Sequence, residues 1–227
     1  MLALVTIGQA PRDDVVRAMF GCTAPEFVQL GALDELDSAQ IAALAPRTDE
    51  PLLVSRLCDG REVTLSKTRL MPHLQRTVGR AERAGATVIC VLCTGTFPDL
   101  SSCAHIVFPD QLLSATVDAL APGGTLGVIM PHPGQAAIMQ RKWSRPNRAL
   151  VLTSASPYVA DDALERAARA LHAQAATPIV LDCMGFDRVM QARVRAVCDA
   201  PVLLANALIG AVLREFVGSV GGRLKHS

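Results

Sequence analysis

The sequence predicts an α/β protein of two pseudo-symmetric lobes, each a mainly parallel sheet flanked by helices. Three observations lead there. Apolar, β-branched runs of strand length alternate with segments of helical spacing, the pattern that builds parallel sheets. Pro122-Gly123-Gly124 breaks the chain near its middle, after which the alternation starts afresh. Three landmarks then recur in the same order. Leu4-Val5-Thr6-Ile7-Gly8-Gln9 answers Gly127-Val128-Ile129-Met130-Pro131-His132, and Cys93-Thr94-Gly95 answers Cys183-Met184-Gly185. Val107-Phe108-Pro109-Asp110-Gln111-Leu112 answers Leu203-Leu204-Ala205-Asn206-Ala207-Leu208. Residues 1–112 are expected to form the first lobe and 113–206 the second. A closing helix over 207–227 is expected to pack back on the first.

The elements follow in order. Leu2–Ile7 reads as a strand, and a helix begins near Arg12 or Asp13 with acidic residues in its first turn. Val28–Leu30 is a strand, and Asp37-Ser38-Ala39-Gln40 opens a short helix. Pro51–Cys58 and Arg61–Ser66 flank Asp59-Gly60, the clearest hairpin signal in the chain. Leu74, Val78, Ala81 and Gly85 keep helical spacing, with Gly85 as a stop. Strand Thr87–Cys93, strand His105–Phe108 and helix Gln111–Leu120 complete the first half. The second half reads strand Thr125–Met130, helix Gln135–Trp143, strand Leu150–Thr153 and helix Asp161–Ala173. Strand Pro178–Cys183, a helix capped by Asp187 and running to about Val197, strand Pro201–Leu204 and helix Ala207–Val217 close it.

Composition narrows the function. Half of the 227 residues are apolar, with one Trp and one Tyr, so a large aliphatic core is expected rather than an aromatic recognition surface. The 22 basic and 21 acidic residues are scattered, which argues against a nucleic-acid partner. No apolar run approaches the ~20 residues of a membrane span. The opening Met1–Ile7 lacks a basic n-region and is too short for an export signal, so it reads as strand one. Seven cysteines, an odd number with several inside apolar runs, suggest a reduced, cytoplasmic protein rather than a disulfide framework.

Two of those cysteines carry the chemistry. Val88-Ile89-Cys90-Val91-Leu92-Cys93-Thr94-Gly95 and Pro178-Ile179-Val180-Leu181-Asp182-Cys183-Met184-Gly185 are buried-strand patterns that both end in Cys-x-Gly. A strand ending this way puts a thiol at the lip of a sheet, where backbone N–H groups can meet an anion. A matched pair suggests one site with a thiol on either side, able to remove a proton from one face of a carbon and return it to the other. The amides of Thr94, Gly95, Met184 and Gly185 would bind a carboxylate and adjust the thiols, with the Thr94 hydroxyl as a further donor. Such a scheme needs neither metal nor organic cofactor. The bland reading is that a Cys at the end of an apolar strand is simply packed. Cys90 and Cys93 have CxxC spacing, but in a strand their thiols point to opposite faces, and no second ligand pair accompanies them.

Other candidates surround the pair. Arg12 could clamp a carboxylate through two hydrogen bonds, although an Arg in a first turn is more often solvated. Gln9 and His132 stand at answering positions after their strands and could touch substrate. Ser66 and Lys67 end the hairpin and could reach a cleft. Asp182, beside Cys183, is expected to cap or pair locally. No GxGxxG, GxxxxGK[ST] or GxSxG motif is present.

The opening Thr6-Ile7-Gly8-Gln9-x-Pro11-Arg12, the later Leu181-Asp182-Cys183-x-Gly185-Phe186 and Pro201-Val202-Leu203-Leu204-x-Asn206 resemble the AroM family over nearly the whole chain. More distantly the sequence resembles the aspartate/glutamate racemase superfamily. That likeness implies a racemase-like fold with one catalytic Cys from each lobe facing the substrate α-carbon, and Cys93 and Cys183 occupy the matching places. It departs from the usual pattern where Gly8-Gln9 replaces an acidic or Ser residue after strand one. The expected function is a cofactor-independent racemase or isomerase of a small, amino-acid-like carboxylate. A Cys-dependent decarboxylase, a cis–trans isomerase of a small dicarboxylate and a non-catalytic binding protein on the same fold remain alternatives. The expected partner is a small carboxylate, and a homodimer is left open.

Overall fold

The structure, a computed structural model, describes residues 1–218, so positions 219–227 of the expected closing helix lie outside the described residues. The first sheet holds β1 (Leu2–Thr6), β2 (Phe27–Gly31), β5 (Val88–Val91) and β6 (His105–Val107) in the order β2-β1-β5-β6. The second holds β7 (Gly124–Met130), β8 (Arg148–Ser154), β9 (Ile179–Leu181) and β10 (Val202–Leu204) in the order β8-β7-β9-β10. Every pairing within both sheets is parallel. The two orders superpose strand for strand, β1 on β7 and β5 on β9, which is the pairing the sequence landmarks require.

Helices join the strands. They are α1 (Asp13–Phe20), α2 (Ser38–Ala43), α3 (Lys67–Arg83), α4 (Pro109–Leu120), α5 (Ala136–Trp143), α6 (Ala163–Ala173), α7 (Arg188–Val197) and α8 (Ala205–Val217). Their starts are written locally. Asp37 and Gln40 form a reciprocal capping box on α2, and the Asp187 side chain accepts from the Met190 N–H at the start of α7. Two helices begin earlier than their spacing alone suggests. Ser66 caps α3 directly out of the hairpin strand, and Pro109 occupies the first turn of α4, where a missing N–H costs nothing.

Strand alternation sorts the core into layers. Leu2 and Leu4 face a shared interior with Leu126, Val128 and Val180 of the other lobe. Ala3 and Val5 face the opposite side, against Leu70, Leu74 and Val78 of α3. Ile129, Ile179 and Leu181 do the same in the second lobe against Leu164, Ala168 and Leu171. Helix α8 packs on α1 and α4, and it approaches so closely that a Cβ on Gly210 would run into the Met19 backbone.

Between α2 and α3, β3 (Leu52–Arg56) and β4 (Glu62–Ser66) pair as an antiparallel hairpin outside both main sheets. The hairpin spans the lobes. Gln135 of the second half donates to the Leu52 carbonyl at 3.2 Å, and Ser156 donates to the Glu62 carboxylate. No helix among the described residues is long and apolar enough to cross a membrane.

Candidate active site

Strands β5 and β9 end two residues before Cys93 and Cys183, so both thiols sit in the turns that leave the sheets. Each turn closes in the same way. The Gly95 N–H donates to the Cys93 sulfur at 3.3 Å, and the Gly185 N–H donates to the Cys183 sulfur at 3.4 Å. The Cys-x-Gly pattern thus produces a small loop in which an amide dipole faces its own thiol. Both cysteines line one cleft of about 380 Å³ between the lobes, roofed by β3 of the hairpin.

The cleft walls govern the thiols. Cys93 keeps part of its surface open to the cleft, but protein encloses it, and burial pushes its pKa up to about 12. The Gly95 amide and the Lys142 charge work against that rise, while charge on Cys183 adds to it. Cys183 is 8 % exposed, and burial raises it to about 11. The Gly185 amide, Arg12 and the Tyr158 hydroxyl hold it back from rising further. The Thr94 and Met184 N–H groups have no protein acceptor among the described residues.

Arg12 is a correction to the solvated reading. It is 4 % exposed. Its Nε and Nη2 donate to the two Asp14 oxygens, each at 2.9 Å, and Nη2 also donates to the Tyr158 hydroxyl at 3.3 Å. The guanidinium lies 5.4 Å from the centre of the Tyr158 ring. Burial opposes the Arg12 charge most strongly of any single cause, but Asp14 and Tyr158 together outweigh it and raise the pKa above its ordinary value. Tyr158, the single Tyr of the chain, carries no sequence signal, because it stands in an unpatterned loop after β8. Burial pushes its hydroxyl upward, so it serves as a neutral donor.

Asp182 is the second correction: its partners are not local. It is fully buried. Lys142 of α5 donates to its two oxygens at 3.0 and 2.9 Å, and Trp143 Nε1 donates at 2.7 Å. The third Lys142 proton goes to the Thr94 carbonyl at 3.0 Å, and the Thr94 hydroxyl donates to the Asp182 carbonyl at 3.3 Å. The turn after β5 is therefore tied to the turn after β9. Lys142 and Trp143 gave no signal beyond the apolar and basic spacing of a helix.

The cleft brings together Arg12, Cys93, Thr94, Gly95, Cys183 and Met184. Gly185, also expected to bind substrate, does not line it but opens on a neighbouring pocket behind Tyr158, whose hydroxyl a Cβ there would strike. Three other expected binding residues stand off the cleft and are engaged elsewhere. The Gln9 side chain accepts from the Cys58 N–H at 3.0 Å, and His132 Nδ1 accepts from the Gly134 N–H at 3.0 Å. Ser66 accepts from the Arg69 N–H at 3.4 Å, while its neighbour Lys67 faces the cleft instead. Among the described residues no three His, Cys, Asp or Glu side chains gather in a way that could hold a metal ion.

Two parallel-sheet lobes with a thiol from each at one cleft define a two-lobed α/β protein, and solved structures of a decarboxylase and of racemases share that fold. An unliganded arylmalonate decarboxylase aligns with a TM-score of 0.61 at 13% identity, over 97% of this chain and 93% of the other. The aspartate racemase of Picrophilus torridus aligns at 0.62 and 11% identity, over 96% and 94%. The allantoin racemase of Klebsiella pneumoniae aligns at 0.57 and 14% identity, over 96% and 87%. At these identities the likeness is one of fold. No protein of curated function matches in sequence. The chain belongs to the AroM family, whose model, described as AroM protein, matches residues 2–217.

Proposed function

We propose that the protein is a cofactor-independent racemase or isomerase that moves a proton at the α-carbon of a small carboxylate, with Cys93 and Cys183 as opposed base and acid. One observation carries the reading: both thiols line the same cleft, each held by the amide two residues on. An α-proton beside a carboxylate is weakly acidic, so its removal needs a placed base and donors that stabilise the carbanion. The N–H groups of Thr94 and Met184, which meet no protein acceptor among the described residues, serve as those donors. Arg12 acts on Cys183 through Tyr158 rather than by clamping the substrate, because Asp14 already occupies its fork. Solved racemases of the same fold support a reversible proton transfer.

A one-thiol decarboxylase is the second reading, favoured by the unequal surroundings of the two sulfurs and by the decarboxylase among the structural relatives. Incubation with candidate acids in D₂O separates the two. Racemisation incorporates deuterium into recovered substrate and is lost in both Cys93→Ala and Cys183→Ala. Decarboxylation consumes substrate without exchange and survives one of the two replacements. Undiminished exchange in both single variants overturns the proposal.

A further inference from the structure

The geometry points to the substrate class of this cleft: a small diacid without an ammonium group, its remaining α-substituent uncharged. The inference rests on the reading of the cleft as a carboxylate site. Among the described residues the one carboxylate on the cleft is Asp182, and its charge is already paired with Lys142. It is fully buried, and three donor contacts from Lys142 and Trp143 occupy its two oxygens. Residues 219–227, outside the described part, contain no Asp or Glu that could supply another.

The cationic side is in excess. Arg12 is neutralised by Asp14 and Lys142 by Asp182. Lys67 and Arg141 also line the cleft, from different lobes, and no carboxylate among the described residues lies within ion-pair distance of either. Lys67 rests 5.8 Å from the Phe97 ring centre, a contact that leaves its charge intact. A bound α-ammonium would meet two like charges and no carboxylate free to pair with it on the cleft wall, in a cleft that screens charge poorly. A second carboxylate would meet the reverse. The rest of the wall is aliphatic, with Leu52, Leu53, Ile138 and Met139 suited to an uncharged substituent.

Matched pairs of acids that differ only in hydroxyl against ammonium test the assignment: lactate and alanine, malate and aspartate, 2-hydroxyglutarate and glutamate, in both hands. The readout is the shift of the thermal unfolding midpoint with ligand concentration. The expected result is that each hydroxy diacid binds at least about tenfold more tightly than its amino counterpart and than lactate. Lys67→Gln and Arg141→Gln should each remove the preference for diacid over monoacid. An amino acid that binds as well as its hydroxy partner overturns the inference and leaves the proposed proton transfer standing. Equal binding of lactate and malate, or an unchanged diacid preference in both variants, overturns it as well. If no acid in the series moves the midpoint, the carboxylate reading of the cleft falls together with it.

Discussion

Lys142 is linked to Cys93 through a single peptide group. Its ammonium donates to the Thr94 carbonyl at 3.0 Å, and the N–H of that same peptide, on Gly95, donates to the Cys93 sulfur at 3.3 Å. A charge at the carbonyl end polarises the amide and strengthens the bond at the other end. The second lobe repeats the device without the charge. Asn206 Nδ2 donates to the Met184 carbonyl at 3.0 Å, and the Gly185 N–H of that peptide meets Cys183. There the cation acts from elsewhere, with Arg12 behind Tyr158.

Replacing Lys142 by Met should therefore act twice. The Cys93 thiol loses a cation that holds it down, so its pKa rises further and its alkylation slows. About tenfold is expected, read by mass spectrometry of the Cys93 peptide after iodoacetamide. The fully buried Asp182 also loses its counter-charge, which costs about 3–5 kcal/mol of stability in urea unfolding. The Lys142→Met/Asp182→Asn pair should cost less than the sum of its parts.

Removing the Tyr158 hydroxyl isolates the other thiol. Tyr158→Phe keeps the ring that Arg12 covers and deletes the group that favours the Cys183 thiolate. Cys183 should titrate above about 11 and react several-fold more slowly, while stability changes by about 1 kcal/mol or less. Unchanged reactivity at Cys183 would remove Tyr158 from the site.

The two glycines of the Cys-x-Gly loops should differ sharply. A Cβ on Gly185 would collide with the Tyr158 hydroxyl and ring, so Gly185→Ala must displace Tyr158 and should slow Cys183 alkylation as Tyr158→Phe does. At Gly95 the nearest neighbour is the tip of Leu53 at 3.0 Å, a flexible group that can shift. Gly95→Ala should fold with little loss of stability and leave Cys183 reactivity unchanged.

Thiol titration also sets a pH window for stability. In the unfolded chain both thiols ionise near ~8.5, whereas in the folded protein burial holds Cys93 to about 12 and Cys183 to about 11. Between those values the folded state binds more protons, so stability falls as pH rises from about 9 toward 11. The unfolding midpoint should decline over that range, and less steeply in the Cys93→Ser/Cys183→Ser variant. Cys90, also held at about 12, keeps a residual slope in that variant.

The sequence alone determined the succession of strands and helices along the chain, the helix caps at Asp37 and Asp187, and the two Cys-x-Gly turns. These are written in local periodicity, in turn chemistry and in a repeat that lies along the chain. Tertiary structure alone decided which polar groups meet at the cleft. Lys142 and Asp182 are 40 residues apart, and Arg12 and Tyr158 are 146 apart. Spacing along a helix says which face a residue occupies, but not which buried charge from another element will arrive there. The same limit explains Gln9, Ser66 and His132, whose positions after strands suggested a cleft. Each instead accepts from a backbone N–H of a neighbouring turn or helix start, a partner that its position after a strand does not announce.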